Sequence, residues 1–334
     1  MRSKGRRRHP VFCAILYGAL AGSASVALSE ARAEARYPSK PIRIVCPFPP
    51  GGGLDFVSRT LGEKLAERLG QPVVVDNRPG ASGAIGAGIV AKAAADGYTV
   101  LLASSSTLAV NPALQRASYQ TVINDFAPVT LVSRVSYVLV VHPSVPAKSV
   151  AELIRLAKSQ PGRINYASSG TGSASHLAME LFKNMAGVDL THIPYKGSSP
   201  AVIDLIGGQV QAGFNNLIPA LPHVKSGRLR ALGVSGPARS AAMPEVPTIA
   251  QSGLPGYEAL QWYGVLLPSR APRVIINRLH QEITAILQQP DVRERLTHEG
   301  GDVIGSTPEQ FASHIEREIE KWARVVNAAD IRAN

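Results

Sequence analysis

The chain has 334 residues, and its 35 lysines and arginines outnumber 24 acidic residues, which gives a formal net charge of +11. The basic residues are scattered and aromatic residues make up only 5%, which excludes the basic, base-stacking surface of a nucleic-acid-binding protein. Only two cysteines are present, and one lies in the N-terminal segment, which excludes an intrachain disulfide or a cysteine-based metal site in a processed chain. We expect neither a metal nor a cofactor.

The first 33 residues have the pattern of a secretory signal peptide. Five basic residues lie among the first ten, a largely apolar stretch runs from Val11 to Leu28, and Ala31-Arg32-Ala33 offers an A-x-A cleavage site. A membrane anchor would need a longer and more apolar core than this stretch. The six basic residues and one acidic residue of 1–33 account for five of the eleven charges, so +6 remains. We therefore expect an exported, soluble protein whose modest positive field attracts small anions.

Beyond this segment, short Val/Ile/Leu-rich runs alternate with amphipathic stretches of helical length, which predicts an α/β fold. Strands are predicted at 42–46, 73–76, 100–103, 138–141, 164–167, 191–194, 211–214, 230–234 and 261–267. Helices are predicted at 57–69, 84–95, 150–159, 174–186, 200–207, 218–226, 274–288 and 308–326. We expect the last two helices to pack on the first lobe, and the charges at 316–321 to form a solvated face. Trp262 and Tyr263 are expected to contact ligand or hinge, and core packing is equally consistent with Trp262.

Two glycine-rich turns each join a predicted strand to a predicted helix start. The first runs from Pro47 to Asp55 and the second from Ser168 to Ser173. Such a turn leaves unpaired backbone N–H groups directed into one space, where the helix dipole also favours an anion. The pair predicts two lobes that share one anionic ligand, although a tight turn at 51–53 and a helix cap at Asp55 are also consistent with the residues.

The motifs in chain order resemble those of the periplasmic receptors of the tripartite tricarboxylate transporter family, also called Bug receptors. The matching segments are 37–43, 47–52, 77–81, 96–99, 165–170, 192–197, 204–210, 229–232 and 253–257. The resemblance implies a two-lobed periplasmic-binding-protein (type II-like) fold in which each lobe is a mixed sheet flanked by helices and the ligand lies in the interlobe cleft. It places the first lobe at 34–138, the second at 139–256, and a return to the first lobe at 257–334.

The resemblance also implies a function: the receptor closes on a small carboxylate, such as a dicarboxylate or an aromatic acid, and presents it to membrane permease subunits. We expect a monomer without enzymatic activity. The implied ligand-binding residues are Pro50, Gly51, Gly52, Gly53, Asp55, Ser168, Gly170, Thr171, Gly172, Ser173, His176, Tyr195, Lys196 and Asn215. Family members often carry an acidic residue where this chain has Asn215. The sequence therefore favours a carboxylate whose distal part is neutral, not a basic amino acid.

The residues also allow three other interpretations. The same fold can act as a ligand sensor for a signalling partner. An exported serine hydrolase could use Ser173 and His176 with Asp189 or Asp204, but the turn lacks the G-x-S-x-G elbow. The G-x-G-x-x-A run at 86–91 lies inside a predicted helix and not at a strand-to-helix turn, which argues against a dinucleotide site.

Overall fold

The computed structural model describes residues 37–115, 119–298, 300–329 and 331, so the predicted signal peptide lies outside the described residues. The strands are β1 (Ile42–Cys46), β2 (Val73–Asn77), β3 (Thr99–Ser104), β4 (Phe126–Val141), β5 (Asn165–Ser168), β6 (Thr191–Pro194), β7 (Ala212–Asn216), β8 (Arg230–Val234), β9 (Leu260–Pro268) and β10 (Gly301–Val303). All lie in the compact unit Pro41–Asn334.

The helices are α1 (Gly53–Leu69), α2 (Ala84–Ala91), α3 (Asn111–Leu114), α4 (Tyr119–Asp125), α5 (Val150–Ser159), α6 (Ala174–Ala186), α7 (Ser198–Ile206), α8 (Leu217–Lys225), α9 (Arg273–Leu287), α10 (Pro290–His298) and α11 (Pro308–Ala328). A π-helix, Ser106–Val110, precedes α3. Across the described ranges, no helix combines the length and the apolar character needed to cross a bilayer.

The ten described strands form one mixed sheet in the order β2-β1-β3-β9-β4-β7-β5-β6, and β8 and β10 also pair with β4. β1 is parallel to β2 and β3, and β5 is parallel to β6 and β7. The alternation of strands and helices thus confirms the predicted α/β class. Because parallel strands end at a common edge, each group brings the loops that follow its strands together.

The long strand β4 connects these two parallel groups. Its first part, Phe126 to Ser136, pairs with β9, whereas Tyr137 to Val141 pairs with β7. The sequence predicts only its last four residues, because the earlier part carries Pro128 and polar residues that a local pattern does not favour in a strand. The lobe boundary predicted after residue 138 falls inside β4, and the proposed lobe boundaries stay a prediction.

The C-terminal helix α11 differs from the expectation in two ways. It contacts β4 and the π-helix Ser106–Val110, but also α6 in the second half of the chain, so it does not pack on the first half alone. Glu318 is buried, and its Oε2 accepts hydrogen bonds from Nε1 of Trp262 at 3.0 Å and of Trp322 at 3.1 Å. The predicted solvated face is therefore wrong at Glu318, and Trp262 belongs to the core.

Candidate functional site

The first glycine-rich turn is shaped by the carboxylate of Asp55. Oδ2 accepts the N–H of Gly51 at 3.0 Å and Nε of Arg59 at 2.9 Å, and Oδ1 accepts Nδ2 of Asn77 at 2.9 Å. Burial alone raises the pKa of Asp55, but the hydrogen bonds from these three donors and the Arg59 charge lower it below its usual range. The carboxylate is ionised and already satisfied by the protein.

Helix α1 begins directly after this turn without a side-chain cap. Gly52 occupies the N-cap position, and the first intrahelical bond runs from Phe56 N–H to the Gly52 carbonyl oxygen at 3.0 Å. The amides of Gly53, Leu54 and Asp55 therefore have no intrahelical acceptor. Asp55 lies within α1 and bonds back to Gly51, so the expectation that it caps the helix is wrong. The free amides make this end of α1 suitable for an anion.

A cavity of about 760 Å³ lies beside this helix end. Its walls come from the first turn with α1, from β4, β9 and β10, from the segments around β7, α7 and α8, and from α10. The lining residues are Gly51, Gly52, Gly53, Asp55, Phe56, Val57, Arg59, Ser133, Val135, Ser198, Ser199, Val202, Ile203, Asn215, Asn216, His223, Tyr263, Arg295, Leu296 and Gly301.

Two further helices begin at the cavity. α7 starts with Ser198 and Ser199 after a Gly197 N-cap, and α8 starts after Asn216, which makes no side-chain capping bond. Asn215 is only 9% exposed and lines the cavity. The cavity thus combines three helix N-termini with a neutral side-chain amide.

The second glycine-rich turn is held by histidines. His176 Nδ1 accepts the N–H of Gly172 at 3.0 Å, and His192 Nε2 lies 2.6 Å from Oγ of Ser168. The two imidazole rings stack with centroids 3.9 Å apart. Burial, together with the charges of His192 and Lys183, lowers the pKa of His176 to about 3. The neutral imidazole of His176 therefore stabilises the turn by accepting the Gly172 N–H.

The side chains in this turn do not form a catalytic arrangement. Ser173 is the N-cap of α6, and its Oγ accepts the backbone N–H of His176 at 3.3 Å. The His176 imidazole is bonded to Gly172 instead, so the Ser173–His176 pair of the hydrolase interpretation is not formed. Among the described residues there is also no cluster of three or more His, Cys, Asp or Glu side chains able to hold a metal ion.

The second turn adjoins the cavity through the loop after β6. Tyr195 N–H donates to Ser168 C=O at 3.1 Å, and Gly197 N–H donates to Ser169 C=O at 3.2 Å. Tyr195 OH donates to Asp204 Oδ2 at 2.7 Å. These bonds fix the loop immediately before the lining residues of α7, so the second turn supports the cavity wall indirectly.

The predicted site residues are thus divided. Five of them line the cavity: Gly51, Gly52, Gly53, Asp55 and Asn215. The others lie outside its lining: Pro50, Ser168, Gly170, Thr171, Gly172, Ser173, His176, Tyr195 and Lys196. Local sequence patterns did not indicate Ser198 and Ser199 as site residues, although a helix start after Gly197 could have done so. Tyr263, expected beside ligand or hinge, lines the cavity. Ser133 and Arg295 have no local signal, because long-range pairing brings them to the cavity.

Comparison with protein families and with known proteins identifies related receptors. The model of the tripartite tricarboxylate transporter family receptor matches residues 57–331. BugT of Bordetella pertussis is 43% identical over 291 residues, which cover 87% of this chain and 89% of BugT.

Solved structures extend the comparison to the fold. A protein from R. palustris with adipate shares 37% identity at a TM-score of 0.77, over 89% of this chain and 99% of that chain. The periplasmic binding protein BugD shares 31% identity at a TM-score of 0.75, over 89% and 100% of the two chains. MatC from Rhodopseudomonas palustris with bound malate shares 32% identity at a TM-score of 0.75, over 87% and 100%.

These matches confirm the resemblance inferred from the sequence motifs, and they confirm the periplasmic-binding-protein class of the fold. The relatives are binding receptors and not enzymes. Because the family model spans most of the chain, the chain belongs to the tripartite tricarboxylate transporter receptor family, the Bug family of solute-binding proteins.

Proposed function

We propose that this protein is a periplasmic receptor that binds a small carboxylate in the cavity beside the first glycine-rich turn and presents it to a tripartite tricarboxylate-type permease. The convergence of three helix N-termini on one cavity carries this proposal. α1 begins there at Gly53, α7 at Ser198, and α8 directly after Asn216. Each such end offers unpaired amides and a positive dipole end, which favour an anion over a neutral or cationic ligand.

The first turn receives the carboxylate. Gly51 has a φ of +85°, a conformation that L-residues with a side chain rarely adopt, and its N–H donates to the Asp55 carboxylate. This bond occupies the Gly51 N–H, so the amides of Gly52 and Gly53 remain for the ligand. A Cβ at Gly53 would lie 2.8 Å from Tyr263 Oη, which means that a side chain there would displace the tyrosine and narrow the cavity.

Asn215 and Ser198 meet the remaining polar groups of the ligand. Asn215 offers two donors and an acceptor without charge, so it can bind a hydroxyl or a carboxylate but does not attract an ammonium group. In the proposal, the second turn acts indirectly. Ser168 accepts the Tyr195 N–H, and this bond helps to hold the loop that leads through Gly197 to the lining residues of α7. The relatives solved with adipate and with malate support a carboxylate as the ligand of this chain too.

Thermal unfolding of the purified protein against mono-, di- and tricarboxylates, aromatic acids and amino acids tests the proposal. A ligand that binds only the native state stabilises it by about 2.7 kcal/mol at a hundredfold excess over Kd. We expect one carboxylate class to raise the midpoint, and Gly52→Val to abolish that shift by blocking the amides. Gly88→Val is the matched control, because a Cβ at Gly88 meets open space and Gly88 is outside the cavity lining.

Two outcomes contradict the proposal. The first is the absence of a shift with every carboxylate while the protein is folded. The second is strong, saturable binding of a cationic amino acid, which a cavity formed by helix N-termini disfavours. The permease partnership is tested separately: deleting the gene for the receptor must abolish uptake of the identified ligand at low concentration, and restoring it must recover uptake.

A further inference from the structure

Helix α10 places an arginine, Arg295, on the cavity wall, and this residue belongs to neither glycine-rich turn. Arg295 lines the cavity, and its guanidinium carbon lies 5.9 Å from the centroid of the Phe56 ring on α1. Phe56 is three residues beyond Gly53, about 4.5 Å along the helix axis. Arg59, also on the wall, is six residues beyond Gly53, about 9 Å along the axis. Arg59 and Arg295 therefore both lie on the cavity wall that begins with the amides of α1.

The wall near these groups is apolar. Phe56 and Val57 come from α1, Leu296 from α10, and Val202 and Ile203 from α7. Ile203 is 67% exposed although it borders a cavity, so much of its apolar surface is not packed against the protein. A ligand with a short hydrocarbon spacer would bury this surface, and such burial is favourable.

The charges of the lining residues leave an excess of positive charge. Asp55 and Arg59 compensate each other through the Arg59 Nε–Asp55 Oδ2 contact at 2.9 Å. Among the described residues, the acid that Arg295 meets is exposed and outside the lining: Arg295 Nη1 lies 3.3 Å from Glu63 Oε2, and the two side chains are 41% and 53% exposed. Exposed ion pairs of this kind contribute little, and a guanidinium has five N–H donors. Arg295 can therefore bind a ligand carboxylate without leaving an acid buried and unpaired.

We propose that Arg295 is a specificity-determining residue that selects ligands with a second anionic group at the far end of a short apolar spacer. The inference rests on the proposed function, in which the first carboxylate binds at Gly52 and Gly53. It revises the sequence-based expectation of a neutral distal group, because that expectation considered position 215 alone and could not place α10 at the cavity.

Calorimetric titration with three matched ligands tests this assignment. Adipate carries two carboxylates, monomethyl adipate retains the length but loses one charge, and hexanoate replaces one carboxyl group by a methyl. We expect the wild-type protein to bind adipate more tightly than the other two by roughly tenfold or more, as a charge-assisted contact implies. Arg295→Gln should reduce adipate binding by a similar factor and leave monomethyl adipate and hexanoate unchanged.

Arg293→Gln is the control, because Arg293 is exposed on the same helix and outside the cavity lining. It should change the binding of none of the three ligands, and urea unfolding of both variants should match the wild type within about 0.5 kcal/mol. If all three ligands bind the wild type equally, or if Arg295→Gln weakens all three alike, the assignment of Arg295 is overturned while the receptor function stands. If no carboxylate of any length binds the wild type, the receptor function itself fails.

Discussion

Asp55 and Gly51 are joined across the first glycine-rich turn by a 3.0 Å hydrogen bond from the glycine N–H to Oδ2 of the carboxylate. Gly51 has a φ of +85°, and the two following residues, Gly52 and Gly53, line the cavity with it. Asp55 is one of the residues expected to touch ligand, but its contacts within the protein show that it shapes the first glycine-rich turn.

The first prediction concerns this carboxylate. Asp55→Asn replaces one accepting oxygen by an NH₂ group, so one of the three donors that face it loses its partner. We expect the free energy of unfolding to fall by about 1–3 kcal/mol and the ligand affinity to fall with it. Urea unfolding and calorimetry measure the two effects. Glu67→Gln, an exposed site on the same helix, should stay within about 0.5 kcal/mol of wild type. Equal effects of the two substitutions would contradict the role of Asp55.

The second prediction concerns pH. Burial lowers the pKa of His314 to about 4 and that of His176 to about 3, whereas an unfolded histidine titrates near pH 6.5. Below pH 6.5 the unfolded chain binds protons that the folded chain does not, so stability is greatest above pH 6.5 and declines as the pH falls toward 4. The slope is at most about 1.4 kcal/mol per pH unit for each histidine.

Urea unfolding at a series of pH values between 7 and 4.5 measures this slope. His314→Gln removes one of the histidines with a lowered pKa, so the stability of the variant should depend less steeply on pH than that of the wild type over the same interval. A slope that is unchanged in the variant would show that the pKa of His314 is the same in the folded and unfolded states.

The third prediction concerns the buried acid of α11. Burial raises the pKa of Glu318, but the charge and hydrogen bond of Lys321 and the hydrogen bond from Trp262 lower it overall. Glu318→Gln leaves Lys321 without its anionic partner, and we expect a loss of about 1–3 kcal/mol in urea unfolding followed by tryptophan fluorescence. The exposed Glu320→Gln should be close to neutral. A neutral Glu318→Gln would restore the solvated-face interpretation.

The fourth prediction tests the packing of α11 on the strand β9. A Cβ at Gly264 would lie 2.1 Å from Cζ of Phe311, a fully buried ring, so the ring or the helix must shift. We expect Gly264→Ala to destabilise the protein by about 1–3 kcal/mol. Gly88→Ala, inside α2 with open space around its Cβ, should be neutral or stabilising by up to about 1 kcal/mol. Thermal unfolding measures the stability of the two variants. If Gly264→Ala does not lower the unfolding midpoint, Phe311 of α11 is not packed closely on Gly264.

Local patterns predicted most elements accurately where the residues themselves determine the structure. The helices Val150–Ser159 and Ala174–Ala186 begin and end at the predicted residues. Each has a serine N-cap that bonds the backbone three residues later, at Ser149 and Ser173. By contrast, β10 has three residues and exists through its pairing with β4, so no periodicity could reveal it.

The sequence alone determined the α/β class and the family, because strand alternation, glycine turns and helix starts are encoded by neighbouring residues, and it predicts an anion site at the first turn. Only the tertiary structure decided which residues share the cavity. β4 and β9 bring Ser133 and Tyr263 beside the first turn, and α10 packs Arg295 on Phe56. These contacts join residues far apart in the chain, so they depend on strand register and helix packing, which no local pattern specifies.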